Sequence, residues 1–293
     1  MARHRTTTAL LLASLLTSCS LFTSLSGLRE DGVDGPDDAA TDVATPVDAA
    51  PDAPDSVADA EPSNPRSAAY RAAVLADGPI AYWRLEETAG TVAKAEIGAV
   101  DAQYRQSPQL GAEGVAGSRA VVLNNSAHLK AITRAFAFVD RAPFTIEIWV
   151  KPAAFGDLRW LMSTEPPGFP RYGWSIIGYA NGAAGYEGFA PEGGPVVRYV
   201  GVPTLTLTRF AHLVFTYDGT KLSSYLDGII RETENDTSPH TASGDFYIGC
   251  AAESPDTVSG CASGWAVDEP ALYDKPLTAA RVAAHYAAGT AAP

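Results

Sequence analysis

The sequence predicts an all-β domain, a sandwich or a barrel, set behind an exported N-terminus. Short β-prone runs recur between turn signals from Ile80 to the C-terminus. The first quarter is not globular, and the roughly 225 residues left suit one all-β domain. With 26 Gly, 21 Pro, 12 Tyr and 10 Phe against 19% charged residues, the composition is that of a turn-rich β protein.

The chain begins with a positive region, Arg3, His4 and Arg5, followed by a short apolar run from Ala9 to Leu16. This is the layout of an export signal, too short to span a membrane. The boundary Leu16-Thr17-Ser18-Cys19 resembles the bacterial lipobox. That resemblance implies a secreted lipoprotein with a signal peptide over 1–18 and acyl chains on Cys19, the first mature residue. Several acyl chains anchor stably where one is marginal. Ser20 stands where an Asp would imply inner-membrane retention, so the same resemblance implies lipid anchoring to the cell envelope at the outer membrane. An ordinary signal peptide holding a chance Cys is the alternative.

Residues 19–66 read as a lipidated start and an acidic Asp/Ala/Pro-rich linker. Between Glu30 and Pro65 every charged residue is acidic, 11 of the chain's 34 acids, and no aromatic occurs. Such a segment cannot bury enough apolar surface to offset its ordering entropy, and self-repulsion keeps it extended, so disorder is expected. A calcium-binding Asp repeat is the other reading, but the Asp spacing is irregular. From Ser67 onward 23 acids face 17 bases, a net charge of −6. That excludes nucleic acid as a partner, since its binding needs a basic stripe.

The domain, 67–293, opens with a short helix over Ser67 to Leu75. Strands are expected over 80–85, 120–123, 128–133, 144–150, 160–163, 173–179, 196–200, 210–217, 221–226, 245–249 and 265–273. Asp218-Gly219 and Asp227-Gly228 mark hairpin turns, which with Ile229-Ile230-Arg231 make a three-strand meander. Alternation puts Phe144, Ile146, Ile148 and Val150 on one face and Thr145, Glu147 and Trp149 on the other, the pattern of a half-buried sandwich strand. A final helix is expected over Thr278 to Ala288, with Thr278 as N-cap, Gly289 just past its end, and Val282 and Tyr286 docking one face.

Three ordered stretches resemble a known family: Ala72 to Glu86, with Pro79-Ile-Ala-Tyr-Trp-Arg-Leu-Glu86; Pro143-Phe-Thr-Ile-Glu-Ile-Trp-Val-Lys-Pro152; and Phe210 to Tyr286, with His212-Leu-Val-Phe-Thr-Tyr-Asp-Gly219, Tyr225-Leu-Asp-Gly228 and Val267-Asp-Glu-Pro-Ala-Leu-Tyr273. Together they are similar to the laminin-G-like, concanavalin-A-like domains of bacterial exported proteins, over about residues 68 to 289. The resemblance implies an all-β, two-sheet antiparallel jelly-roll sandwich with a short C-terminal helix. It implies no single ligand: relatives bind sugars, proteins or lipids, some only fill space, and one branch holds glucanases.

The chemical constellations favour binding over catalysis. A retaining glucanase needs two carboxylates about 5 Å apart, and the Glu-x-Asp-x-x-Glu strand that supplies them on jelly rolls is absent. Asp268 and Glu269 are adjacent, so in a regular strand they point to opposite faces. His128, His212, His240 and His285 show no metal-ligand spacing. Calcium is the one ion the resemblance implies: Asp268 matches a family position, and Glu96, in Ala95-Glu-Ile-Gly98, stands where relatives carry Asp. The plainer role for Asp268 is a hydrogen bond to a neighbouring loop. Apart from Cys19, Cys250 and Cys261 form an even pair in an exported chain, so a disulfide is expected. For ligand contact, Tyr172, Trp174 and Tyr186 lie among glycines and offer ring faces, with core packing as the competing role; Trp83, Trp149 and Trp265 read as core or sheet-face residues. The reading is a surface-displayed, non-catalytic lipoprotein recognising a glycan or an extracellular protein. A spacer or adhesion module without a specific ligand, and a divergent glycoside hydrolase, are the alternatives.

Overall fold

The computed structural model describes residues 64–291 apart from 167–171, 190–195 and 255. The signal region, Cys19 and nearly all of the linker lie outside the described residues.

Two antiparallel sheets pack face to face. The first runs in the order Ile229–Asn235, Lys221–Leu226, Ala211–Tyr217, Phe144–Lys151, Trp265–Tyr273, Ala81–Trp83 and Ala95–Ile97, with Arg119–Leu123 and Gln109–Glu113 continuing from Trp265–Tyr273. The second runs Val196–Val202, Ala184–Phe189, Gly173–Gly178, Arg159–Ser163, Phe246–Ile248, His128–Ala131, Ala102–Arg105 and Val92–Ala93. Both Asp-Gly hairpins form as expected: Asp227 and Gly228 both take positive φ (54° and 76°), the geometry that matches strand twist.

Between the sheets, Phe144, Ile146, Ile148 and Val150 meet Trp174, Ile176 and Tyr186 in one core. The opposite face of the first sheet is also buried. Helix α1 (Pro65–Ala76) and helix α2 (Ala279–Thr290) lie there, and Tyr70, Val74 and Val282 pack on Trp149, Val214 and Tyr273. The central strands are therefore buried on both faces rather than half-buried, because two helices cover the side that alternation alone leaves to solvent.

Helix α2 starts as expected, with the Thr278 hydroxyl accepting from the Arg281 N–H. It does not stop at Gly289, which is helical and buried. A Cβ at Gly289 would run into the Trp149 ring, so this glycine serves close packing rather than termination. The segment Ala184–Phe189 likewise forms a strand, paired through six residues with Gly173–Gly178. Its Gly185 admits the Tyr199 ring, 2.5 Å from where a Cβ would stand. Cys250 and Cys261 form a disulfide that closes a small hairpin, Ala251–Ala252 paired with Val258–Ser259, against the second sheet beside Trp160 and Ile177.

Candidate functional site

The second sheet carries two adjacent transverse rows. Leu129, Ile248, Met162, Ile176, Tyr186 and Val200 are successive cross-strand partners and face the core. The neighbouring row, Gln103, Lys130, Tyr247, Ser163, Ser175 and Glu187, must face outward, because strand side chains alternate. This fixes the aromatic residues picked out for ligand contact. Trp174 and Tyr186 are both fully buried; the Trp174 indole N–H donates to the Phe136 carbonyl at 3.0 Å and Tyr186 stacks on Phe144. Neither presents a face to a sugar, and Tyr172 is half-buried just before strand Gly173–Gly178. The glycines of that stretch are strand positions: rings approach Gly185 and Gly188, and Thr164 and Ala242 approach Gly173.

At the outer row's end lies a groove of about 460 Å³. Its floor comes from His128, Lys130 and Tyr247, one wall from Arg105 and Gln106, and the other from Asp256 and Val258 of the disulfide hairpin. The Lys130 ammonium stands 5.2 Å above the Tyr247 ring and 3.3 Å from Asp245. Arg105 lies directly opposite His128 in register.

A second set of groups gathers at the family's expected ion position. Trp265–Tyr273 pairs with Arg119–Leu123 through residues 265–267 and with Ala81–Trp83 through 271–272. Between those partners the strand bulges, and Glu269 takes φ 52°. The bulge breaks the regular alternation at Asp268 and Glu269, both of which are buried. Asp268 Oδ2 accepts from the Val115 N–H and the Ser118 hydroxyl, both at 2.8 Å, which is the loop contact of the plainer reading. Glu269 accepts from the Tyr82 hydroxyl. Arg84 reaches Glu86 at 2.5 Å, Glu269 at 3.6 Å and Glu96 at 3.9 Å. Glu96 also pairs with Arg71. Burial pushes the Asp268 and Glu269 carboxyls well above the usual carboxylate range, and their mutual repulsion adds to this for Glu269.

Calcium takes six to eight oxygen ligands. Among the described residues no three His, Cys, Asp or Glu side chains come together to hold a metal ion. One oxygen of Asp268 is already committed to two donors, Glu96 is drawn to arginines, and a guanidinium stands among the acids. Although Asp268 Oδ1 is buried without a partner, this donor set does not fit calcium.

Two histidines far apart in the chain, His212 and His285, converge on one carboxylate. Glu147, fully buried under the helices, accepts from Tyr70 at 2.8 Å and His212 Nε2 at 2.7 Å on one oxygen, and from Tyr273 at 3.0 Å on the other. His285 Nδ1 lies 3.0 Å from both oxygens, and its Nε2 is 2.8 Å from Asp77, itself held by Arg281. Burial alone would raise the Glu147 carboxyl, but His285 and His212 hold it well below the usual range. Burial works against charge on His285, yet Glu147 and Asp77 raise its pKa. One carboxylate thus ties α1, α2 and two strands together. The sequence signal was a lone Glu inside an apolar strand; its partners are far apart in the chain. His240 is enclosed as well, between the Tyr186 hydroxyl at 2.6 Å and Asp236 at 2.8 Å, and pins the segment after the meander to the core.

These features define a lectin-type jelly roll, helices covering one outer face and a polar groove on the other. The profile of the Concanavalin A-like lectin/glucanases superfamily (laminin G type) matches residues 123–283, and the chain belongs to that family. Three solved structures share the fold. A Trypanosoma rangeli sialidase in complex with sialic acid is 15% identical, with a TM-score of 0.54 over 71% of this chain and 32% of the sialidase. The botulinum neurotoxin serotype D binding domain is 10% identical, with a TM-score of 0.55 over 73% of this chain and 52% of the other. The binding domain of Paraclostridial Mosquitocidal Protein 1 is 13% identical, with a TM-score of 0.55 over 72% and 52%. The chain spans between a third and about half of these structures' lengths. No curated protein sequence matches it.

Proposed function

We propose that this chain is an exported lipoprotein, held at the outer membrane through acylated Cys19, whose jelly roll is a non-catalytic binding module for a glycan or an extracellular protein. The observation that carries the reading is the polar groove on the outer face of the second sheet, framed by a disulfide-closed hairpin. Helices and the Glu147 network cover the middle of the first sheet's outer face, and the groove of about 710 Å³ beside α1 is lined by Arg84, Glu86 and Ser118, which are tied into the carboxylate cluster there. The prominent buried carboxylates, Glu147, Asp268 and Glu269, are engaged in holding elements together, which supports binding over hydrolysis. The fold's company, a sialidase and two toxin binding domains, fits a carbohydrate- or protein-binding role.

The test is a glycan array and a panel of purified extracellular-matrix proteins, both probed with the full chain. Saturable binding to one class supports the reading; silence on both leaves a spacer and overturns it. Anchoring has its own expected outcome. Cys19→Ala should abolish metabolic labelling with a palmitate analogue and release the protein from membranes, and unchanged labelling in the variant would refute acylation at Cys19.

A further inference from the structure

We infer that the groove between Arg105 and the disulfide hairpin takes an acidic sugar, its anionic group held by Arg105 and Lys130. The inference rests on the glycan-binding reading and goes beyond it by naming a site and a ligand class.

Three observations converge. First, Arg105 is exposed at the end of its strand, and among the described residues its side chain makes no hydrogen bond or ion pair. Its guanidinium offers five N–H donors in a planar fork that matches a carboxylate or sulfate. Lys130 adds a second positive charge at the floor. Asp245 offsets part of that charge and exposed Asp256 stands on the far wall, yet both cations, after burial itself, push the pKa of neighbouring His128 down.

Second, His128 complements the cations. Its Nδ1 lies 2.8 Å from the Ser126 carbonyl, which can only accept, so that nitrogen carries the proton. In the neutral ring Nε2 is then an acceptor. A donor fork and an acceptor standing opposite each other in register suit a ligand with an anionic group beside a hydroxyl, which is the surface of a uronic or sulfated sugar. A neutral sugar would leave the fork without its match.

Third, the lip is held in shape. Gln106 and Ser107, immediately after Arg105, both take positive φ (58° and 53°), unusual for two successive non-glycine residues. The two residues turn the chain sharply between this groove and the neighbouring one of about 500 Å³ that Arg105 also lines. The opposite wall belongs to the hairpin closed by Cys250–Cys261. The domain's net charge of −6 repels anions at long range, but screening over about 8 Å leaves the local cations to decide.

The experiment is isothermal titration of the full chain with trigalacturonate, a heparin hexasaccharide and maltotriose, which separate carboxylate, sulfate and neutral chemistry. At least one acidic arm should bind, about tenfold or more tighter than maltotriose, and weaken as salt rises from about 50 mM to about 300 mM. Arg105→Ala should lower that affinity about tenfold without moving the melting temperature, and Lys130→Ala should lower it too. Acidic-sugar affinity unchanged in both variants would overturn the inference, as would silence of both acidic arms. Maltotriose binding that equals the acidic arms and ignores Arg105→Ala would also overturn it, while leaving glycan recognition intact.

Discussion

Replacing Glu147 with Gln is expected to destabilise the domain by about 4 kcal/mol, the usual cost of breaking a buried, hydrogen-bonded ion pair. The amide keeps the shape but loses the charge that His285 balances and that Tyr70, Tyr273 and His212 hydrogen-bond, and its NH2 faces groups that themselves donate. In a domain of this size that corresponds to a fall of roughly 10 °C in melting temperature. The pH profile distinguishes this charge network from simple packing. Glu147 has a depressed pKa when folded, so its contribution is present above about 4.5 and is lost as pH falls through the folded value. His285 has a raised pKa when folded, so its contribution is full below about 6.5 and is lost as pH rises through the folded value. The network is therefore strongest between those limits, and the gap between wild type and Glu147→Gln should be widest there. Thermal melts from pH 4 to pH 9 measure it; a gap independent of pH would show that the charges contribute nothing.

Arg84→Met is expected to cost about 3 kcal/mol at neutral pH, because it leaves Glu269 and Glu86 without their cation in a largely buried setting. Burial raises the pKa of Glu269, so acid neutralises it ahead of an ordinary carboxylate and should shrink the penalty towards pH 4. Since the guanidinium stands among the acids, millimolar calcium should leave the wild-type melting curve where it is. A rise of several degrees with calcium in the wild type would restore the ion that the family resemblance implies. An Arg84→Met penalty equal at pH 4 and pH 7.5 would mean that the side chain matters for its bulk alone.

Much of the fold was legible because strand alternation and turn chemistry are local. Phe144 to Val150 showed its two faces directly, and Asp227-Gly228 named its own turn. Glycine was the main source of error. Gly185, Gly188 and Gly289 look like loop or stop signals, yet they sit inside regular elements where the Tyr199, Tyr186 and Trp149 rings approach the backbone. A missing side chain says that something comes close without saying what, so Trp174 and Tyr186 were placed among loops when they line the core.

The candidate sites divide along the same boundary. By itself the sequence determined the run of short strands, the turn positions and the pairing of Cys250 with Cys261, since each depends on neighbours in the chain or on parity of a small count. Only the tertiary structure decided where charge ends up. Tyr70, Glu147, His212 and His285 are separated by tens of residues, and a bulge at Glu269 breaks the alternation on which the placing of Asp268 and Glu269 rested. Arg105, Lys130 and Asp256 meet only because three strands and a hairpin are brought side by side. Electrostatic interactions act through space over a few ångströms, and distance in space is the quantity that local sequence patterns do not carry.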